Sequence, residues 1–180
     1  MTLAVIPPSA FRKALLRWYD ASRRDLPWRA SNDFYRVWIS EIMLQQTRVE
    51  AVVPFYLRFL KRFPSIGHLA EASQNDVLTL WSGLGYYSRA RNLHLAAQRI
   101  ASQGQPENYH QVLALPGVGS YTAAAVASIA LGLPHAAVDG NVVRVISRLT
   151  NDTAESTSPA ARRRFADKAT ALLDPRRPAG

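Results

Sequence analysis

The sequence has no cysteine, so disulfides and thiolate metal sites are excluded within it. It also has no apolar run approaching the roughly 18 residues that a membrane span needs. Met1 to Pro8 lacks the basic start and long apolar stretch of a secretory signal. No membrane association and a cytoplasmic, nucleoid-associated location are expected. Lysine is scarce as well. Of 22 basic residues set against 13 acidic ones, all but Lys13, Lys61 and Lys168 are arginine. The formal charge of +9 is therefore carried by planar guanidinium groups, which suit bidentate phosphate contacts. Charge alone leaves two readings open, a nucleic-acid partner or a merely basic soluble surface.

Alternating strand runs and internal repeats are missing too. What is present is a series of helical segments broken by Gly, Pro, Ser, Asn and Asp. The patterning predicts helices over Phe11 to Tyr19, Phe34 to about Gln46, Arg48 to Arg62, Ile66 to Ala72, Gln74 to Ser82 and Tyr87 to Ser102. Leu26-Pro27-Trp28-Arg29 reads as an aromatic loop. Ala90, Leu93, Ala97 and Ile100 form one stripe, and Gly104 is a natural stop. Further helices are expected over Glu107 to Ala114, over the alanine-rich Ser120 to Leu131, and after Asp139-Gly140-Asn141 with Val142, Val145, Ile146 and Leu149 on one face. Ser158-Pro159 has the form of an N-cap and first-turn proline for a last helix to about Leu173. The polar, proline-rich stretch Asp174 to Gly180 follows it. The fold class is all-α. An apolar fraction of 48% over 180 residues can build a core, in one large domain or two small lobes.

The most informative local pattern is Leu115-Pro116-Gly117-Val118-Gly119 between two helices. Glycines at spacing two let the backbone take positive φ and approach a ligand closely. Leu115 and Val118 can tuck beneath such a turn, leaving the amides of Gly117, Gly119 and Ser120 facing outward. The next helix adds its free N–H groups and positive dipole end. An ordinary Gly-Pro helix connection is the plain alternative. The full pattern in a basic all-α chain favours a seat for the DNA backbone.

Leu115 to Ala123 followed by Val138-Asp139-Gly140-Asn141-Val142 resembles the hairpin and catalytic loop of the endonuclease III superfamily of DNA glycosylases. Leu26-Pro27-Trp28-Arg29, the stretch Trp38 to Thr47 and the stretch Trp81 to Leu93 resemble its adenine DNA glycosylase branch. The resemblance covers nearly the whole chain. It implies a helix-hairpin-helix fold, with a six-helix barrel over residues 31–140 and the hairpin at about 107–131. Residues 1–30 and 141–180 are then expected to form an incomplete second lobe.

The resemblance also implies roles. Glycosidic cleavage uses an acid for the leaving group and negative charge beside a cationic sugar. Glu41 shares a helix face with Val37, Trp38 and Leu44, and such neighbours favour its protonated form. The family's equivalent protonates the departing adenine. Asp139 precedes a helix whose dipole and amides favour a charged carboxylate; its equivalent flanks the deoxyribose C1′. A plain N-cap is compatible with that role. Asn141 and Tyr121 match positions that order the water and the carboxylates. Because a stacked purine is out of reach, the base must be extruded, and Gln46 and Tyr86 match the residues inserted into the duplex. Leu26, Trp28 and Arg29 match the adenine-pocket wall. Arg89, placed among the DNA-binding residues, and Arg91 are read as phosphate or internal contacts rather than base readers.

Bifunctional relatives carry lysine two residues after the second hairpin glycine, and this chain has Tyr121. A phenol cannot form an imine, so a monofunctional glycosylase acting as a monomer on double-stranded DNA with A:8-oxoguanine or A:G mispairs is implied. Family members continue into four cysteines holding a 4Fe–4S cluster and then a further domain. The chain is expected to be cut before them, with no cofactor or metal of its own. A catalytically silent helix-hairpin-helix DNA-binding module and an endonuclease III-like glycosylase/lyase are the alternatives.

Overall fold

The structure, a computed structural model, describes residues 7–152 and 158–179. Residues 1–6, 153–157 and 180, which belong to the stretches expected in the second lobe, lie outside the described residues. In chain order the helices are α1 (Pro8–Ser22), α2 (Phe34–Leu44), α3 (Val49–Arg62), α4 (Ile66–Glu71), α5 (Gln74–Trp81), α6 (Ser88–Gln103), α7 (Tyr109–Leu113), α8 (Ser120–Ala130), α9 (Gly140–Thr150) and α10 (Pro159–Leu172). The expected aromatic loop closes as a 3-10 turn over Pro27–Arg29. Among the described residues there is no strand. Nor is any helix there long and apolar enough to cross a membrane.

The helix starts follow side-chain chemistry. Asp33, Ser65, Ser73, Asn108, Asp139 and Ser158 each accept a hydrogen bond from an amide of the turn they precede. Gly104, at φ +93°, ends α6 in a conformation that favours glycine.

Two apolar clusters form. The larger is organised around α2, whose Trp38, Ile39 and Met43 are fully buried and which packs against α3, α6 and α8. The alanines of α8 keep that approach close, with Ala123 and Ala127 fully buried. The predicted stripe Ala90, Leu93, Ala97 and Ile100 is buried in full. Phe59 meets Phe63 and Trp81 edge-to-face, at 5.0 and 6.0 Å, a geometry aromatic pairs prefer. Trp28 joins this cluster rather than the second lobe in which residues 1–30 were expected. Its ring meets Tyr56 edge-on at 5.3 Å, which pulls the 3-10 turn onto α3.

The smaller cluster holds Ile146, Ala161, Phe165 and Ala169, with Ala136, Val138, Val142, Val143 and Leu172 packed around them. The expected apolar face of α9 is only half covered. Ile146 is buried, but Val145 and Leu149 are 51% and 45% exposed, because α10 meets one side of the helix. No residue of α1 is buried. Polar contacts attach it: Arg12 donates to the carbonyls of Leu172 and Ala171 at the end of α10, and Asp20 accepts two hydrogen bonds from Arg177.

Candidate active site

A cleft of about 1270 Å³ draws its walls from both clusters. Glu41 enters it from α2, Tyr121 from the first turn of α8, and Asp139 from the N-cap of α9. Leu26, Trp28, Arg29 and Gln46 line the same space.

The two carboxylates have opposed surroundings. Seven of the eleven residues of α2 are buried apolar ones, and burial beside them pushes Glu41 up to about 7, against the opposing pull of the Arg29 cation. Asp139 is instead satisfied by donors. Its Oδ1 accepts from the amides of Asn141 and Val142 at 3.0 and 2.8 Å, and its Oδ2 accepts from Asn141 Nδ2 at 3.0 Å. Tyr121 registers both acids. Its phenol is pushed up to about 12, first by burial and then by the negative charges of Glu41 and Asp139. Of the four expected catalytic residues, Glu41, Tyr121 and Asp139 line the cleft, while Asn141 does not line it and is tied to it through its hydrogen bonds to Asp139.

Gln46 and Tyr86 are both exposed and both in the left-handed region, at φ 57° and 48°. Such values are uncommon outside glycine and occur where the surroundings impose them. The only other described non-glycine residue with positive φ is Asn151, a residue type that caps helices in this conformation.

The hairpin joins α7 to α8. Leu115 is buried and Val118 packs partly beneath the turn. Gly117 has φ +76°, and a Cβ there would lie 2.8 Å from Asn92 Cβ. Gly119 corrects the expectation of paired positive-φ glycines. Its φ is −93°, and a Cβ on it would meet nothing within 4 Å. Glycine at 119 therefore leaves open space before α8. Among the described residues, the amides of Gly117, Gly119 and Ser120 meet no protein acceptor.

Arg89 is the main correction to the expected contact residues. It is 8% exposed, and its guanidinium donates to backbone carbonyls of two turns. Of the phosphate and internal readings, the internal one holds; Arg91 is exposed. Sequence reasoning missed Tyr19, Arg23, Arg24, Ser128, Arg176 and Arg177, which also line the cleft. They carry no local pattern: Tyr19, Arg23 and Arg24 come from near one end of the chain, Arg176 and Arg177 from near the other, and Ser128 from α8 between them. The residues present do not fit an iron–sulfur cluster: the sequence has no cysteine. Among the described residues, no three His, Asp or Glu side chains group as metal ligands.

Residues 39–170 match the HhH-GPD superfamily base excision DNA repair protein family. The chain belongs to this family. The adenine DNA glycosylase of Rattus norvegicus is 44% identical over 182 residues, covering 94% of this chain and 35% of that protein. That of Buchnera aphidicola (Baizongia pistaciae) is 43% identical over 142 residues, covering 77% of this chain and 40% of that protein. This HhH-GPD chain thus spans about a third of the length of the first of these relatives. Among solved structures, a thermostable thymine-DNA glycosylase superposes with a TM-score of 0.81 at 28% identity, covering 93% of this chain and 78% of that one. An endonuclease III bound non-covalently to DNA superposes at 0.76 and 18% identity, covering 97% and 81%, and shares the HhH-GPD fold.

Proposed function

We propose that this chain is the catalytic part of a monofunctional DNA glycosylase that hydrolyses the N-glycosidic bond of adenine mispaired with 8-oxoguanine or guanine. The observation that carries the reading is the pair of carboxyls with opposed surroundings, Glu41 and Asp139, facing one cleft beside Tyr121. The similarity to adenine DNA glycosylases supports adenine as the base.

The base, extruded from the duplex, enters between Leu26, Trp28 and Arg29. With a pKa of about 7, Glu41 is about half protonated at neutral pH and donates that proton to a ring nitrogen of adenine. The C1′–N9 bond breaks with its electron pair leaving on the base. Asp139, held by three donors, faces the positive charge that develops on the sugar. Water adds to C1′ and loses a proton to the Glu41 carboxylate. Adenine and an abasic deoxyribose result. Tyr121 cannot form a Schiff base. None of Lys13, Lys61 and Lys168 lines the cleft, which supports water rather than an amine as the nucleophile.

The test is single-turnover release of adenine from an A:8-oxoguanine duplex, with Glu41→Gln as control. Release by the wild-type chain and none by the variant is expected. Folded wild-type protein that binds the duplex and releases no adenine refutes the enzymatic reading and leaves a DNA-binding module. Borohydride trapping of the protein on DNA refutes the monofunctional one.

A further inference from the structure

Arg89 is buried without an acidic partner: among the described residues it enters no ion pair. Its charge is dispersed over carbonyls and rings. Nη1 donates to Ile42 O at 3.2 Å, Met43 O at 2.8 Å and Gln45 O. Nη2 donates to Leu84 O and Gly85 O at 3.2 and 3.3 Å. The first three carbonyls end α2 just before Gln46, and the other two lie just before Tyr86. The guanidinium carbon is also 5.4 Å from the Tyr86 ring and 5.5 Å from the Trp81 ring, within cation–π range.

Capping the end of α2 would account for three of these bonds. It does not account for the two that reach the other turn, nor for the ring contact to Tyr86. One rigid fork joins the two turns whose exposed residues, Gln46 and Tyr86, are the described non-asparagine, non-glycine positions with positive φ. A second link joins them to the hairpin. Gln45 Nε2 donates to Gly117 O at 3.3 Å and to Thr122 Oγ1 at 3.2 Å.

We propose that Arg89, together with Gln45, is a positioning clamp that fixes the Gln46 and Tyr86 turns against the hairpin, so that both side chains enter the duplex in one registered step. The proposal rests on the base-excision reading above. Misplacing reacting or inserting groups by about 1 Å can cost on the order of a hundredfold in rate, whereas backbone binding through the hairpin does not require that registration. Lysine cannot replace the fork, because a compact ammonium with three donors cannot hold five carbonyls on two turns.

The experiment compares wild type, Arg89→Lys and Gln45→Leu. Three quantities are measured: affinity for an undamaged duplex, extrusion reported by 2-aminopurine at the target position, and adenine release. Release is followed from A:8-oxoguanine and from adenine opposite an abasic site, where no partner base has to be broken away. In both variants, duplex affinity stays within about threefold, while extrusion and release from the mispair fall by about tenfold or more. Release opposite the abasic site falls much less. Folded variants that extrude like wild type overturn the clamp, as do variants that lose both substrates equally, which marks a general structural loss. If Arg89→Lys does not fold, Gln45→Leu alone must show the split between substrates, and its absence overturns the clamp. A wild-type chain that binds duplex yet never extrudes the base overturns the base-excision reading instead.

Discussion

Replacing Glu41 with glutamine should expose one ionisation through two independent observables. Burial raises the carboxyl from an ordinary 4.5 to about 7, and at about 1.4 kcal/mol per pH unit the displacement corresponds to about 3 kcal/mol of folding free energy. Between those two pH values the native state keeps a proton that the unfolded chain has released. The wild type therefore has this increment in full below pH 4.5, loses it progressively as pH rises, and is about 3 kcal/mol less stable above about 7. Glutamine matches the shape and never ionises. The E41Q variant should be about as stable as wild type near pH 4.5 and about 3 kcal/mol more stable at pH 8, roughly 6–12 °C in Tm for a chain of this size. Its activity should be absent throughout. In the wild type, adenine release should fall about tenfold per pH unit above 7, because only the protonated fraction can donate. Denaturation and single-turnover assays in the same buffers, stepped from pH 4.5 to 8, give both curves. Shifts at other carboxyls cancel in the difference between the two proteins. A stability difference that does not change across this range would refute the buried-acid assignment. So would an activity limb more than one pH unit away from about pH 7, where the stability difference levels off.

Asp139→Asn keeps an oxygen for the Asn141 and Val142 amides but puts an NH2 group against the Asn141 side-chain donor. Stability should change by about 1 kcal/mol or less, while adenine release falls by two or more orders of magnitude, on the order of other lost transition-state charge contacts; equal, small changes in both would reduce Asp139 to a cap. Gly117→Ala drives a methyl to 2.8 Å from Asn92 Cβ at φ +76° and should cost about 1–3 kcal/mol in denaturation experiments. Its affinity for undamaged duplex should drop as well, and the same substitution at Gly119, where a Cβ meets nothing within 4 Å, should cost little stability and leave any loss confined to DNA binding.

The sequence made the local chemistry legible and the convergence of distant segments illegible. Ser158 was recognisable as a cap because its hydroxyl meets an amide three residues on, and the α6 stripe because helical periodicity reports burial directly. Leu115 to Gly119 was recognisable for the same reason: the turn, its buried apolar residues and the following helix end are consecutive. Gly119 shows where that logic stops. A glycine pattern says that a side chain is absent, and only torsions say whether the backbone or the open space needs it gone. Arg89 shows a second limit. Its partners are carbonyls, which every residue has, so nothing in residue identity announced that its side chain turns inward. Val145 and Leu149 show a third, since periodicity marks a face that can be covered, whether or not a described element covers it.

The site also divides between unequal supports. Glu41 belongs to α2, at the centre of a cluster that includes Trp38, Tyr56, Phe59, Phe63 and Trp81, and its position is fixed by that packing. Asp139 belongs to α9, whose one buried residue is Ile146 and whose cluster contains four buried residues, with Phe165 the largest. Stability is not uniform through a structure, and regions with few buried apolar contacts open most readily. Glu41 is therefore set on the rigid side of the cleft and Asp139 on the soft side. Tyr121, whose α8 is packed into the large cluster and whose phenol feels both charges, bridges the two. In the proposed reaction the geometry for hydrolysis depends on how α9 and α10 settle against the larger core, so changes that loosen the Phe165 cluster should lower adenine release through Asp139 before they disturb Glu41.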